Sequence, residues 1–386
     1  MQLFTWIVGL LLAAIWLHRL VDTALGMPRL VDISTPECDR SASARVSIVV
    51  PARNEAEHIE PALRSLLALD YPDYEVIAVN DRSTDATGEI MRRVAADSSD
   101  RLRVIEISEL PPGWMGKTHA MWRAAQQASG EWILFTDADV IFRPDALRRA
   151  VAYADAEQAD HLVLFPTHVL KTFGERMMIG FFQALFIFGH RPWKVADPKT
   201  KDHMGIGAFN LVRRSVYEAV GTYQALRLQV IDDMKLGEII KLRGYRQRNV
   251  FGRDLLRLWW AKGALGVVDN LSKNFFALLH FSPKRAVGAI FLLLFLNLVP
   301  FVGLALAHRG ARVPFAVAVA VIALVYLGQS WYSEVKTWFF IFHPVSTLMF
   351  AYIVLRSMVL TLHRGGVMWR GTLYPLDELK SGMAIK

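Results

Sequence analysis

The sequence predicts an α/β domain with a mostly parallel sheet, flanked by apolar membrane helices at both ends of the chain. Three observations predict it. Short β-branched runs alternate with helical patterns through the middle of the 386 residues, and such alternation gives parallel strands covered on both faces. Hydrophobic residues make up 53% of the chain and concentrate towards its two ends, which is high for a wholly soluble protein. Acidic residues recur directly after the apolar runs, at the carboxyl ends of strands, where open parallel sheets bind ligands.

The first element is an apolar helix over residues 1–27. Leu3 to Leu17 carry no Lys or Arg, and Arg19, Arg29, Arg40 and Arg45 follow. A signal peptide has its basic residues first. The reversed order predicts an uncleaved membrane helix with its N-terminus outside and the following segment cytoplasmic. Residues 28–44, with Pro28, Pro36 and Ser41 to Ser43, read as a linker.

The α/β domain is expected over residues 45–253. Its strands are Val46–Val50, Tyr74–Val79, Leu102–Ile107, Trp132–Phe135 and His161–Phe165. A helix is expected from Glu55 to Leu69, with Ile59, Leu63, Leu66 and Leu67 on its apolar face. Another begins after Thr84 or Asp85, either of which suits a helix N-cap.

Beyond it, residues 254–285 are expected to form amphipathic helices at the headgroup level, as is the stretch 173–188. Trp259 and Trp260 serve as interfacial anchors; ordinary core helices are the alternative. Membrane spans are expected at Ala286–Ala307, Val313–Gly328 and Pro344–Leu362 within a region 286–363, each close to the ~20 residues a bilayer requires. Arg356 inside the last of these must face protein or a headgroup. Residues 364–386 form a basic, cytoplasmic tail. The region before it therefore has an even number of crossings.

Net charge is +8. In an apolar chain the basic residues fit the positive-inside rule and anionic headgroups. No zinc-finger spacing, basic helix or aromatic RNA-binding pattern points to nucleic acid. Nothing points to an obligate protein partner. The single cysteine, Cys38, excludes an intramolecular disulfide.

Four constellations carry chemistry. Pro51-Ala52-Arg53-Asn54-Glu55 follows the first strand, at a turn whose backbone N–H groups suit a nucleotide. Asn80-Asp81-Arg82-Ser83-Thr84-Asp85 closes the second. Asp81 there is placed for a base or ribose, and Asp85 for capping. Asp137-Ala138-Asp139 closes the fourth, and two carboxylates one residue apart can share a divalent cation with a diphosphate. Asp232-Asp233 opens a helix, where one carboxylate can cap or can take a proton from an acceptor hydroxyl.

These segments resemble glycosyltransferase family 2 over residues 46–250. The resemblance implies the GT-A fold, a Rossmann-like α/β domain, and inverting transfer from a nucleotide-diphosphate sugar. It implies Asp81 at the nucleoside, Asp137 and Asp139 at an Mg2+ or Mn2+ site, and Asp233 as general base. Asp232 stands where the family usually has Glu, so both remain candidates. Pro51, Arg53 and Glu55 are expected at the donor.

Pro112-Gly113-Trp114-Met115-Gly116-Lys117, Gly205-Ile206-Gly207-Ala208-Phe209 and Leu271-Ser272-Lys273-Asn274 are similar to a bacterial lipid-directed branch that includes hopanoid-associated and carotenoid glycosyltransferases. Lys117 is then expected at the donor phosphates. His203, Gly205 and Trp259 are expected on the acceptor side. Trp369-Arg370-Gly371-Thr372-x-Tyr374 resembles a closing motif of that branch, with Arg370 reaching the diphosphate. The Q-x-x-R-W signature of processive synthases is absent; Arg257-Leu258-Trp259 is a partial echo. The expectation is transfer of one sugar to a lipid acceptor at the cell inner membrane by a multi-pass protein with a cytoplasmic catalytic domain. A processive polysaccharide synthase and a non-catalytic membrane scaffold are the alternatives.

Overall fold

The computed structural model describes residues 2–98 and 100–383. It divides into two compact units. One comprises the chain up to Arg29, His168–Arg191 and Trp260–Met368; the other comprises Leu30–Thr167, Pro192–Trp259 and the tail from Trp369.

The second unit is built on strands β1 (Val46–Ala52), β2 (Tyr74–Asp81), β3 (Leu102–Ile107), β4 (Trp132–Phe135), β5 (Val140–Phe142), β6 (His161–Leu164), β7 (Thr167–His168), β8 (Asn210–Arg213), β9 (Gln247–Val250) and β10 (Leu256–Leu258). Seven of them form one sheet in the order β3-β2-β1-β4-β8-β6-β9. The pairs β1–β2, β2–β3, β1–β4 and β6–β9 run parallel, and β8 runs antiparallel to both β4 and β6. The five expected strands are all present. Every residue of β2 and β4 is buried, which is why they read as continuous apolar runs rather than alternating ones. A core of Val49, Ile77, Val79, Phe135 and Val212 packs on Ala120, Ala124, Leu236 and Ile240, from helices Gly116–Ala125 and Asp232–Leu242. Because β1, β2 and β4 are parallel, the chain leaves all three at one edge.

Two local expectations change. The first helix runs Ile59–Leu67, not from Glu55. Asn54 takes a left-handed φ of 54°, and the Glu55 carbonyl accepts from the His58 and Ile59 N–H groups. The chain therefore turns before it coils. The expected linker 28–44 is partly built in: Ile33 is fully buried, and Asp32 forms a parallel bridge with Phe251.

The first unit is helical. Three of its helices, among the described residues, are long and apolar enough to cross a membrane: Gln2–Arg29, Arg312–Gln329 and Thr337–Arg364. The expected span Ala286–Ala307 is two helices, Pro283–Asn297 and Val299–Leu306, bent by 44°. Pro300 supplies the reason. It has no N–H, so the Leu296 carbonyl one turn back lacks its helical donor. That carbonyl accepts from the Trp16 indole at 2.9 Å. Arg356 pairs with Asp269 at 2.9 Å, so its charge faces protein. The 173–188 stretch is the helix Phe173–Gly189, opened by a Thr172–Glu175 capping box. The 254–285 stretch is not a run of helices from its start: β10 occupies Leu256–Leu258, and helices follow at Gly263–Ser272 and Phe275–Leu278.

Candidate active site

The site is assembled at the edge where β1, β2 and β4 end. Asp81 is the last residue of β2 and is 3% exposed. Both its oxygens accept from Arg82, at 2.7 and 2.9 Å. Arg82 holds a left-handed φ of 54°, a conformation that costs a non-glycine residue about 1–2 kcal/mol. It turns the guanidinium back onto its neighbour. The first motif is knitted to this loop. The Asn54 N–H donates to Ser83 Oγ and the Glu55 N–H to Thr87 Oγ1. Asp85 serves local structure, accepting from the N–H groups of Thr87 and Ala56. The cap position itself belongs to Ala86. Pro51 lies inside β1, one residue before its end.

Lys117 is the centre of the electrostatics. It sits in the first turn of helix Gly116–Ala125, its Nζ 2.7 Å from Asp137 Oδ1 and 3.9 Å from Asp232 Oδ1. Burial works against its charge, but Asp137, Asp232 and Asp233 outweigh that and hold its pKa above the ordinary lysine value. The preceding Gly116 lies against the Asp81 carboxylate. One helix start thus touches both acidic loops.

The Gly205–Phe209 turn closes the other side. A Cβ on Gly207 would collide with Asp137, and one on Gly205 with the Asp233 carbonyl, so only glycine allows the two loops to approach. Asp233 accepts from the N–H groups of Met234, at 2.8 Å, and Gly207. Thr136 Oγ1 donates to the Ala208 carbonyl at 2.8 Å. Below the turn, Met204 N–H donates to Gln247 Oε1, and the Gln247 amide meets His161, which in turn meets Asn210. Burial pushes the His161 pKa down to about 4, so this relay is neutral.

The carboxylates feel one another. Asp139 is raised to about 7, by burial first and then by the charges of Asp137 and Glu55. Asp232 is raised to about 7 by burial, against the pull of Lys117. Asp233 is raised by burial as well. The donor set suits a hard divalent cation. No group of three or more metal-binding side chains occurs among the described residues. Asp137 and Asp139 alone fit the pattern in which Mg2+ takes one or two carboxylates and completes its shell with phosphates and water.

The tail returns to this edge. Arg370 donates to the Arg53 carbonyl and to the Glu55 carboxylate. Arg53 Nη1 donates to Thr372 Oγ1 at 3.0 Å. The structure thus brings Arg53, Glu55, Asp81, Lys117, Asp137, Asp139, Asp232, Asp233, Gly205 and Arg370 into one network of contacts. His203 lies beside Gly205 in the turn, its Nδ1 on the Lys201 carbonyl. Trp259 packs edge-on to His58, which approaches Glu55 of the first motif at 3.5 Å. Sequence reasoning overlooked Arg82, although it sits inside the quoted motif. It placed Tyr374 in the closing motif without giving it a role; its hydroxyl accepts from the Gly116 N–H at 3.0 Å across 258 residues of chain.

The profile of the family described as "Glycosyl transferase family 2" matches residues 47–221. The 4,4'-diaponeurosporenoate glycosyltransferase of Staphylococcus aureus (strain USA300) is 25% identical over 342 residues, covering 86% of this chain and 89% of the relative. The protein of the same description from the bovine strain RF122 is 24% identical over the same length. Among solved structures, a mannosyltransferase from Pyrobaculum calidifontis in complex with GDP-Man and Mn2+ superposes with a TM-score of 0.56 at 21% identity, covering 93% of this chain and 99% of that one. The fold, the motifs and the matched segment agree: the chain carries a glycosyltransferase family 2 domain and is a glycosyltransferase.

Proposed function

We propose that the protein transfers one sugar, with inversion, from a nucleotide-diphosphate sugar to a hydroxyl of a membrane lipid. The observation that carries this reading is the convergence of Asp137, Asp233 and Lys117 around Gly207, next to Asp81. Asp81 and Arg82 hold the nucleoside end. Lys117 and Arg370 bring positive charge to the diphosphate. Asp137 and Asp139 would hold Mg2+ or Mn2+, which supplies charge neutralisation for the departing diphosphate. The raised pKa of Asp139 supports this: burial raises it first, the charges of Asp137 and Glu55 add to it, and a bound cation would relieve that added repulsion.

Asp233 is the base. Its burial raises its proton affinity, which suits a group that must accept a proton from a hydroxyl near neutral pH. Asp232 lies closer to Lys117 and balances its charge. The acceptor approaches by way of the His203–Gly205 turn. The carotenoid glycosyltransferase relatives support a lipid acceptor, as do the apolar helices.

The setting is the inner membrane, with the catalytic unit cytoplasmic. The tail from Trp369 belongs to the same compact unit as the acidic site, which supports an even number of crossings between them. Of the bent pair, Arg312–Gln329 and Thr337–Arg364, one then enters and leaves on the same side.

Asp233→Asn tests the assignment. Turnover should fall about 10²–10⁴-fold, the usual contribution of general-base assistance, while nucleotide binding is retained. Wild-type turnover in that variant overturns it.

A further inference from the structure

The tail does more than deliver Arg370. Tyr374 is 5% exposed and lies in the strand Thr372–Pro375. Its hydroxyl accepts from the Gly116 N–H at 3.0 Å and from the Arg82 guanidinium. Arg82 is the group that grips both oxygens of Asp81. Gly116 is packed so closely on that pair that an added Cβ would meet Asp81 Oδ2 and Arg82 Nη2. It also precedes Lys117 in the same helical turn. Gly116 is the first residue of that helix, so its N–H has no intrahelical acceptor, and the tyrosine hydroxyl satisfies it. Two residues earlier, Thr372 takes Arg53 from the other side of the same edge.

We infer that Tyr374 is a positioning residue for donor recognition. Its hydroxyl ties Arg82, and through it the nucleoside-facing Asp81, to the turn that carries Lys117, so the spacing between the nucleoside and diphosphate contacts is set from the C-terminal strand. The inference rests on the transferase reading and adds a group that never needs to touch the sugar. A phenylalanine would fill the same space and keep the strand packed. It would leave Arg82 and the Gly116 N–H without their shared acceptor. The loss therefore falls on the donor's ground-state binding, not on the proton transfer at Asp233.

The test is Tyr374→Phe in the full-length protein, with UDP and GDP as probes by calorimetry in the presence of Mn2+, together with steady-state kinetics. The expected result is a dissociation constant for the bound nucleotide raised about tenfold, as for loss of a hydrogen bond to a charged group. Donor KM should rise by the same factor and kcat should change less than about twofold. The double variant with Arg82→Gln should bind no more weakly than Arg82→Gln alone, because the tyrosine acts through that arginine. A merely structural tyrosine would instead lower the melting temperature and leave the dissociation constant of the folded fraction unchanged. Thr372→Val, which removes only the Arg53 contact, guards against a Tyr374→Phe protein that fails to fold and should also raise donor KM. Wild-type nucleotide affinity in folded Tyr374→Phe, or in Thr372→Val should Tyr374→Phe fail to fold, overturns the inference alone. Failure of the wild-type protein to bind either nucleotide overturns the transferase reading and the inference together.

Discussion

Lys117 Nζ lies 2.7 Å from Asp137 Oδ1 and 3.9 Å from Asp232 Oδ1, so a single ammonium joins the Asp137–Asp139 pair to the Asp232–Asp233 pair. Lys117 sits on one helix start, and the two acidic pairs come from a loop and another helix start. Their meeting places one buried ammonium among carboxylates from two separate elements at the edge of the sheet.

Removing that ammonium leaves buried carboxylates without their counter-charge. Lys117→Gln should lower kcat/KM about 10²-fold, the scale seen when one preorganised electrostatic contact is deleted. The pull of Lys117 lowers the proton affinity of Asp232 and Asp233. Without it both rise further, so the acidic limb of the pH–rate profile should move to higher pH. A profile that drops in height without moving would show that Lys117 touches only the donor.

Stability should report the same charges. The Asp232 pKa is raised from 3.8 to about 7 by folding. A folded value above the unfolded one favours the protonated native state, so this contribution is full below about pH 4 and is lost as pH rises through about 7. Between those values the donor-free protein should lose melting temperature from this source, and Asp232→Asn should flatten the decline. An equally steep decline in the variant would place the titration elsewhere.

The glycine turn gives a third prediction. Gly207→Ala places a methyl against the Asp137 carboxylate, and Gly205→Ala places one against the Asp233 carbonyl. The first neighbour is the end of a side chain and can yield. The second is backbone and cannot. Gly207→Ala should therefore fold and lose most of its activity. Gly205→Ala should lose about 1–3 kcal/mol of stability, the usual cost of overpacking. Urea unfolding of the two variants, read alongside their turnover, separates these outcomes.

Much of this was legible in the sequence because the edge that gathers the acidic motifs follows from local pattern. The runs at Val46, Tyr74 and Trp132 announce buried parallel strands, and parallel strands put their trailing motifs at one edge. Asp81, Asp137 and Asp139 could be assigned to that edge without knowing a single contact. What could not be read depends on long-range closure. Short β8 reverses direction between β4 and β6, and four residues carry too little pattern to reveal it. The bend at Leu298 shows only as Pro300 within an apolar run. Tyr374 reaches Gly116 from the far end of the chain, and no spacing rule joins those positions. Asp85 was expected to cap a helix. It instead bonds from one residue outside the cap position and binds the first motif as well, because the neighbouring loop competes for its second oxygen.

The most direct measurement is product analysis by mass spectrometry after the full-length protein, reconstituted in lipid vesicles, is given nucleotide sugars and a bacterial lipid extract, with and without a chelator. The account predicts a lipid bearing one added sugar, lost on chelation and restored by Mn2+ or Mg2+. Polymeric sugar product, or transfer indifferent to the chelator, would contradict it.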